Sequence, residues 1–133
     1  MSKSAIYTVL ATDTPIVTDG VVPLGAIVRR FGCNVNLDGN GITLLGKGYF
    51  KITASLTVSP TAAGDAIITA QKDGAEIIGA TASGAAAAAG DPVNLSVVAL
   101  VRNLCDCDSS LITLLYGGAD ATLNNVALTV EKL

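Results

Sequence analysis

The chain has 133 residues, half of them hydrophobic and 14% charged, which suffices for one core without disulfide or metal staples. With no Trp and only two Phe, that core must be filled by Val, Ile, Leu and Ala. A net charge of −3, eleven acids against eight bases, argues against a nucleic-acid partner, and the lack of histidine removes the commonest general base and most catalytic zinc sites.

At the N-terminus, Met1 to Tyr7 lacks the apolar stretch of a secretory signal. A chain that acts outside a cell is therefore expected to leave by another route, such as release inside an assembled particle at lysis. Ala5–Leu10 reads as a first strand, and a Thr-, Asp-, Pro- and Gly-rich excursion, Ala11 to Gly25, follows it. Residues 1–25 together form an irregular N-terminal strand and loop and a candidate attachment segment. Ala26–Phe31 and Cys33–Leu37 come next, and Asp38-Gly39-Asn40-Gly41 turns the chain into Ile42–Leu45. From Tyr49 to Val58 the alternation has no fault: Phe50, Ile52, Ala54, Leu56 and Val58 are apolar, and each residue between them carries a polar group. A period of two sends neighbours to opposite faces of a sheet, so Gly48–Val58 is a long strand with one face in a core.

Ala66–Lys72 and Ala75–Ala80 flank Asp73-Gly74, a dipeptide suited to the type I′ turn of a hairpin. The five consecutive alanines Ala85 to Ala89 favour helix but are too few to sustain one, and Gly84 and Gly90 bracket them. Ala80 to Pro92 therefore reads as a loop of small residues packed close to a neighbouring subunit. Val93–Val101, Leu111–Tyr116 and Val126–Glu131 complete ten strands. No helical pattern separates them and no composition shift marks a second domain, so residues 1–133 read as one all-β, antiparallel sandwich or barrel.

Two of these strands are apolar on both faces. Val93–Val101 carries Val98 and Leu100 opposite its apolar odd positions, and in Leu111–Tyr116 only Thr113 is polar. Something must cover the second face, either a loop or another copy. The mean hydropathy of +0.58 is high for a small monomer and favours a homo-oligomer contact. No uncharged apolar run approaches the roughly 20 residues of a spanning helix, so membrane insertion is not expected.

The motifs that suggest chemistry each lack a part. Gly41-Ile42-Thr43-Leu44-Leu45-Gly46-Lys47-Gly48 nearly matches a phosphate-binding loop, but Gly48 has no hydroxyl for Mg²⁺ and residues 42–45 look like a strand. Cys105 and Cys107 with Cys33 offer three sulfurs, one short of a structural zinc, and read as small, partly buried thiols near a turn. An odd number of cysteines leaves at least one free or paired between chains. Asp106 and Asp108 resemble the start of a calcium loop, but Gly117 stands where its bidentate Glu belongs. An enzyme would need a cleft gathering several of Asp106, Asp108, Asp120 and Glu131. No cofactor or metal is expected, and the chain reads as non-enzymatic.

Gly48-Tyr49-Phe50-Lys51-Ile52-Thr53-Ala54-Ser55-Leu56 and Gly90-Asp91-Pro92-Val93-Asn94-Leu95 resemble the long third strand and the sixth-strand entry of the jelly rolls of the tumour necrosis factor and complement globular-head superfamily. Pro23 to Cys33 with Asn124-Asn125-Val126 is similar to standalone phage and prophage proteins that look like the head of the exosporium collagen-like glycoprotein, although no Gly-X-Y stalk is present. The resemblance implies a ten-strand antiparallel jelly roll, TNF-like, assembling as a homotrimer, with Tyr49, Val98, Leu100 and Tyr116 as inter-subunit candidates. It further implies a structural virion protein, a capsid decoration or head-fibre component, whose partner is a phage capsid or other virion protein. The alternative is a carbohydrate-binding adhesin or receptor-binding module that engages a host surface glycan.

Overall fold

The faultless alternation does become the longest strand of the protein. The computed structural model describes residues 3–105, 107 and 109–133. In chain order the strands are β1 (Ala5–Leu10), β2 (Thr14–Ile16), β3 (Ala26–Phe31), β4 (Val35–Asp38), β5 (Gly41–Leu45) and β6 (Gly48–Pro60). They continue with β7 (Gly64–Lys72), β8 (Ala75–Ala86), β9 (Val93–Asn103), β10 (Ser109–Gly118) and β11 (Ala121–Lys132). One sheet runs β3-β1-β11-β6-β9 with β2 also on β11, and the other runs β4-β5-β10-β7-β8. Every pairing is antiparallel.

Between the sheets lies a core drawn from alternate positions of both. Phe50, Ile52, Leu56 and Val58 of β6 and Leu128 and Val130 of β11 meet Ile42, Leu44, Ile68, Ile112 and Leu114 from the second sheet, all essentially without solvent exposure. Each such side chain contributes about 1.5–3 kcal/mol through burial. The near phosphate-loop motif is strand β5 and the turn after it, as its apolar residues require.

Three departures from the sequence reading have physical causes. β8 does not stop at Ala80 but continues to Ala86, paired to β7 from Thr69↔Thr81 to Gly64↔Ala86. The expected loop is therefore a strand, and its small residues serve close packing. Ala80 and Ala86 are buried, and a Cβ on Gly84 would lie 2.6 Å from Val93 Cγ1 of β9. β2 has only three residues including Pro15, too short to show a period, yet it pairs with the start of β11. β11 begins five residues early because a register shift between Leu123 and Asn125 admits two adjacent Asn that break the alternation.

The N-terminal excursion also enters the core, through Ile16, Val22 and Leu24. Val22 N–H donates to Leu114 O at 2.8 Å and Tyr116 N–H to Gly20 O at 2.9 Å, so this stretch runs beside β10. Val21 bridges to Leu115, so this stretch extends the second sheet beside β10.

Candidate interaction surface

The outer face of the first sheet can be laid out row by row from the strand register. One row across the sheet reads Phe31, Ala5, Glu131, Lys51, Leu100. The next reads Arg29, Tyr7, Thr129, Thr53, Val98. Beyond them come Ala127, Ser55 and Ser96, then Asn125, Thr57 and Asn94, the last two joined by a 2.9 Å hydrogen bond. The face thus carries its large apolar, aromatic and charged side chains at one end and small and polar ones at the other. At its margin Tyr49 stands opposite Arg102, whose guanidinium lies 5.6 Å from the ring centroid.

Large apolar side chains occupy the two edges of this face, with Glu131, Lys51, Thr129 and Thr53 between them. Val98 and Leu100 project from the outermost strand β9, 62% and 56% exposed. At the opposite edge Phe31 is 60% exposed and, with Tyr7, Arg29, Ala5, Ile6 and Thr129, it lines a shallow apolar depression. A face with knobs at one edge and a hollow at the other suits association with a second protein surface.

Of the four residues singled out from sequence, Tyr49, Val98 and Leu100 stand together on this face. Tyr116 does not. It shares the inward parity of Ile112 and Leu114 on β10, is fully buried, and its hydroxyl donates to Ala119 O. Its hydroxyl pKa is raised above the usual tyrosine value, by desolvation first and by the charge of Asp120 second. Tyr7 and Phe31, which the sequence reading passed over, belong to the surface. Their signal was parity: Tyr7 alternates with core Ile6, and Phe31 shares a face with Arg29.

Among the described residues, the groups that could have suggested chemistry are not assembled. Asp120 lies in the turn between β10 and β11, whereas Glu131 lies at the far end of β11, about 35 Å along an extended strand. Asp106 and Asp108 lie outside the described residues. Cys105 and Cys107 are not thiols but a disulfide, so they offer no thiolate to a metal, and Cys33 is free and exposed. Among the described residues no cluster of three or more His, Cys, Asp or Glu could hold a metal ion, and no helix is long and apolar enough to cross a membrane.

No sequence-family model matches this chain, and no curated protein is similar enough in sequence to count as a relative. Solved structures do match over nearly its whole length. Murine APRIL superposes with a TM-score of 0.70 at 13% identity, covering 99% of this chain and 100% of that one. The globular domain of zebrafish complement 1qA protein gives 0.65 at 7% identity over 97% and 95%. PRD1 vertex protein P5 gives 0.62 at 16% identity over 98% and 96%. At these identities the likeness is one of fold, and the fold is the TNF-like antiparallel jelly roll.

Proposed function

We propose that this chain is a non-enzymatic structural protein of a phage virion, a capsid decoration or head-fibre component, working as a homotrimer. The observation that carries this reading is the outer face of the first sheet. Its knobs (Val98, Leu100) and its hollow (Tyr7, Phe31) lie on one face at opposite edges, four strand spacings or about 19 Å apart. Knob meets hollow either in a two-fold contact, where each copy's knob enters the other's hollow, or in a heterologous contact that closes into a ring when the rotation permits. Three as the number in that ring, and the cover required by a chain of such high hydropathy, follow from the resemblance to TNF-like heads. The virion assignment draws on the similarity to a phage vertex protein. Three identical outward surfaces would then act by avidity on a capsid site.

One observation favours the alternative, a glycan-binding adhesin: Tyr7 and Phe31 offer two exposed aromatic groups beside Arg29, a set on which a sugar ring can stack. The two readings compete for the same residues. Light scattering on the purified protein, followed by a glycan array and a binding assay on purified capsids, separates them. A trimer that binds capsids and is silent on the array supports the virion reading. A mass of one chain together with glycan binding replaces it by the adhesin.

A further inference from the structure

Between the pairs Thr69↔Thr81 and Gln71↔Glu76 the register of β8 on β7 jumps, and Ile77 to Ala80 together stand against the single Ala70. Strand β8 is the outermost of the second sheet, so this is a bulge on a free edge. Both ends of the bulge are pinned, since Ile77 packs against the core and Ala80 is buried. Gly79 takes a φ of +84° with open space where a Cβ would stand, so glycine serves the backbone turn there and not a close contact. The residue thrown outward is Ile78. It is 98% exposed, more than any other large apolar side chain among the described residues.

A bulge on an edge strand commonly guards against association, and a charge or a proline strengthens the guard. An isoleucine at its tip does the reverse, because its burial is favourable wherever a second apolar surface can cover it. The bulge also continues the surface already described. Lys72, paired with Ala75, donates through Nζ to Arg102 O at 2.8 Å, and a Cβ on Gly84 would reach Val93 Cγ1. Strand β8 therefore runs antiparallel beside β9, from Ala75 near Arg102 to Gly84 near Val93. The bulge lies abreast of Val98 and Leu100, and Ile78 extends that pair of knobs around the edge of the sandwich.

The opposite edge of the first sheet is bare. All six residues of β3 are exposed, Ile27, Val28 and Phe31 among them, and β3 borders the hollow that Phe31 and Tyr7 line. We propose that Ile78 is a hook that docks on a second copy of this chain, against β3 and its hollow, alongside Val98 and Leu100. A side chain with neither a polar atom nor a flat ring offers little to a sugar or a nucleic acid. The second copy is the occupant because one chain carries both complements: apolar relief at one edge, and at the other an apolar hollow beside an uncovered strand. Either rotation that brings knob to hollow brings the bulge with it. The inference rests on the homo-oligomer reading and deepens it, by making an edge strand of the second sheet part of a contact otherwise confined to the first.

Ile78→Asp should dissociate the assembly while circular dichroism and melting point stay those of the parent, since a side chain this exposed adds little to the stability of one chain. Burial of three isoleucines corresponds to about a thousandfold in the assembly constant, so light scattering should find single chains where the parent is a trimer. Ile78→Leu should keep the parent mass. A photoreactive diazirine side chain placed at position 78 should crosslink two copies, with the adduct within residues 5–7 or 26–31. The proposal is overturned if Ile78→Asp keeps the parent mass, if the adduct lies elsewhere in the second copy, or if position 78 crosslinks only a capsid protein in purified particles. Val98→Lys/Leu100→Lys separates the two possible failures. If that variant dissociates and Ile78→Asp does not, the hook is wrong and the homo-oligomer stands; a parent with the mass of one chain ends both.

Discussion

Replacing Val98 and Leu100 with lysine should dissociate the assembly and leave the fold intact. In the single chain more than half of each side chain faces solvent. Full burial of a Val or Leu contributes about 1.5–3 kcal/mol, so covering the exposed part contributes about 1 kcal/mol each. A trimer has six such side chains, about 6 kcal/mol in total, which is roughly four powers of ten in the assembly constant. Lysine removes this and places charges in a desolvated contact, a further penalty. Within the monomer both positions lie on the outer face of β9, so stability should shift by only about 0.5 kcal/mol. Light scattering combined with circular dichroism reads both quantities. The parent should run at three times 13.3 kDa, about 40 kDa, and Val98→Lys/Leu100→Lys at 13.3 kDa with an unchanged β spectrum and melting point. Leu111→Lys, exposed on the outer face of the second sheet, is the control that keeps the parent mass. If the double variant remains at about 40 kDa, this face is not the subunit contact and the reasoning from its knobs and hollow fails.

Other outcomes follow from single residues. Thr8 Oγ1 is buried and has no hydrogen-bond partner among the described residues, so Thr8→Val, which keeps the shape, should stabilise the protein by about 1 kcal/mol in a denaturant titration; a loss of stability would mean that the hydroxyl is satisfied. Burial raises the Tyr116 pKa above its unfolded value of 10.0, so the stability it contributes is complete below that pH and is lost as pH rises through the folded value. Thermal melts taken on either side of pH 10.0 should therefore show a larger alkaline loss in the parent than in Tyr116→Phe, and equal losses would contradict the assignment. The Cys105–Cys107 disulfide closes a loop of three residues and accounts for about 1.6 kcal/mol at most by loop entropy. Reduction should lower the melting temperature by only a few degrees, and unfolding on reduction would show that the bridge holds more than its own turn.

How much of this was legible beforehand depended on whether the signal was local. The parity of β6 and β9 is written in consecutive residues, so Phe50 to Val58 and the exposed pair Val98 and Leu100 could be assigned to their faces from sequence. The same parity on β10 groups Tyr116 with Ile112 and Leu114, and placing it outside overlooked that a buried tyrosine needs only one polar partner, here Ala119 O. The alanine-rich end of β8 carries no period because both of its faces are filled by small residues, and only the proximity of Val93 explains the absence of a side chain at Gly84. Tyr7 and Phe31 come together with Val98 and Leu100 only through the order β3-β1-β11-β6-β9, which joins segments more than 60 residues apart.

The central claim is that this chain is part of a virion, and particle composition tests it most directly. Particles induced from cells that carry the gene, purified on a density gradient and analysed by quantitative mass spectrometry, should contain this chain in the capsid band in a copy number divisible by three. Recovery of the chain only in the soluble fraction of the lysate, with the capsid protein in the particle band, would contradict the account.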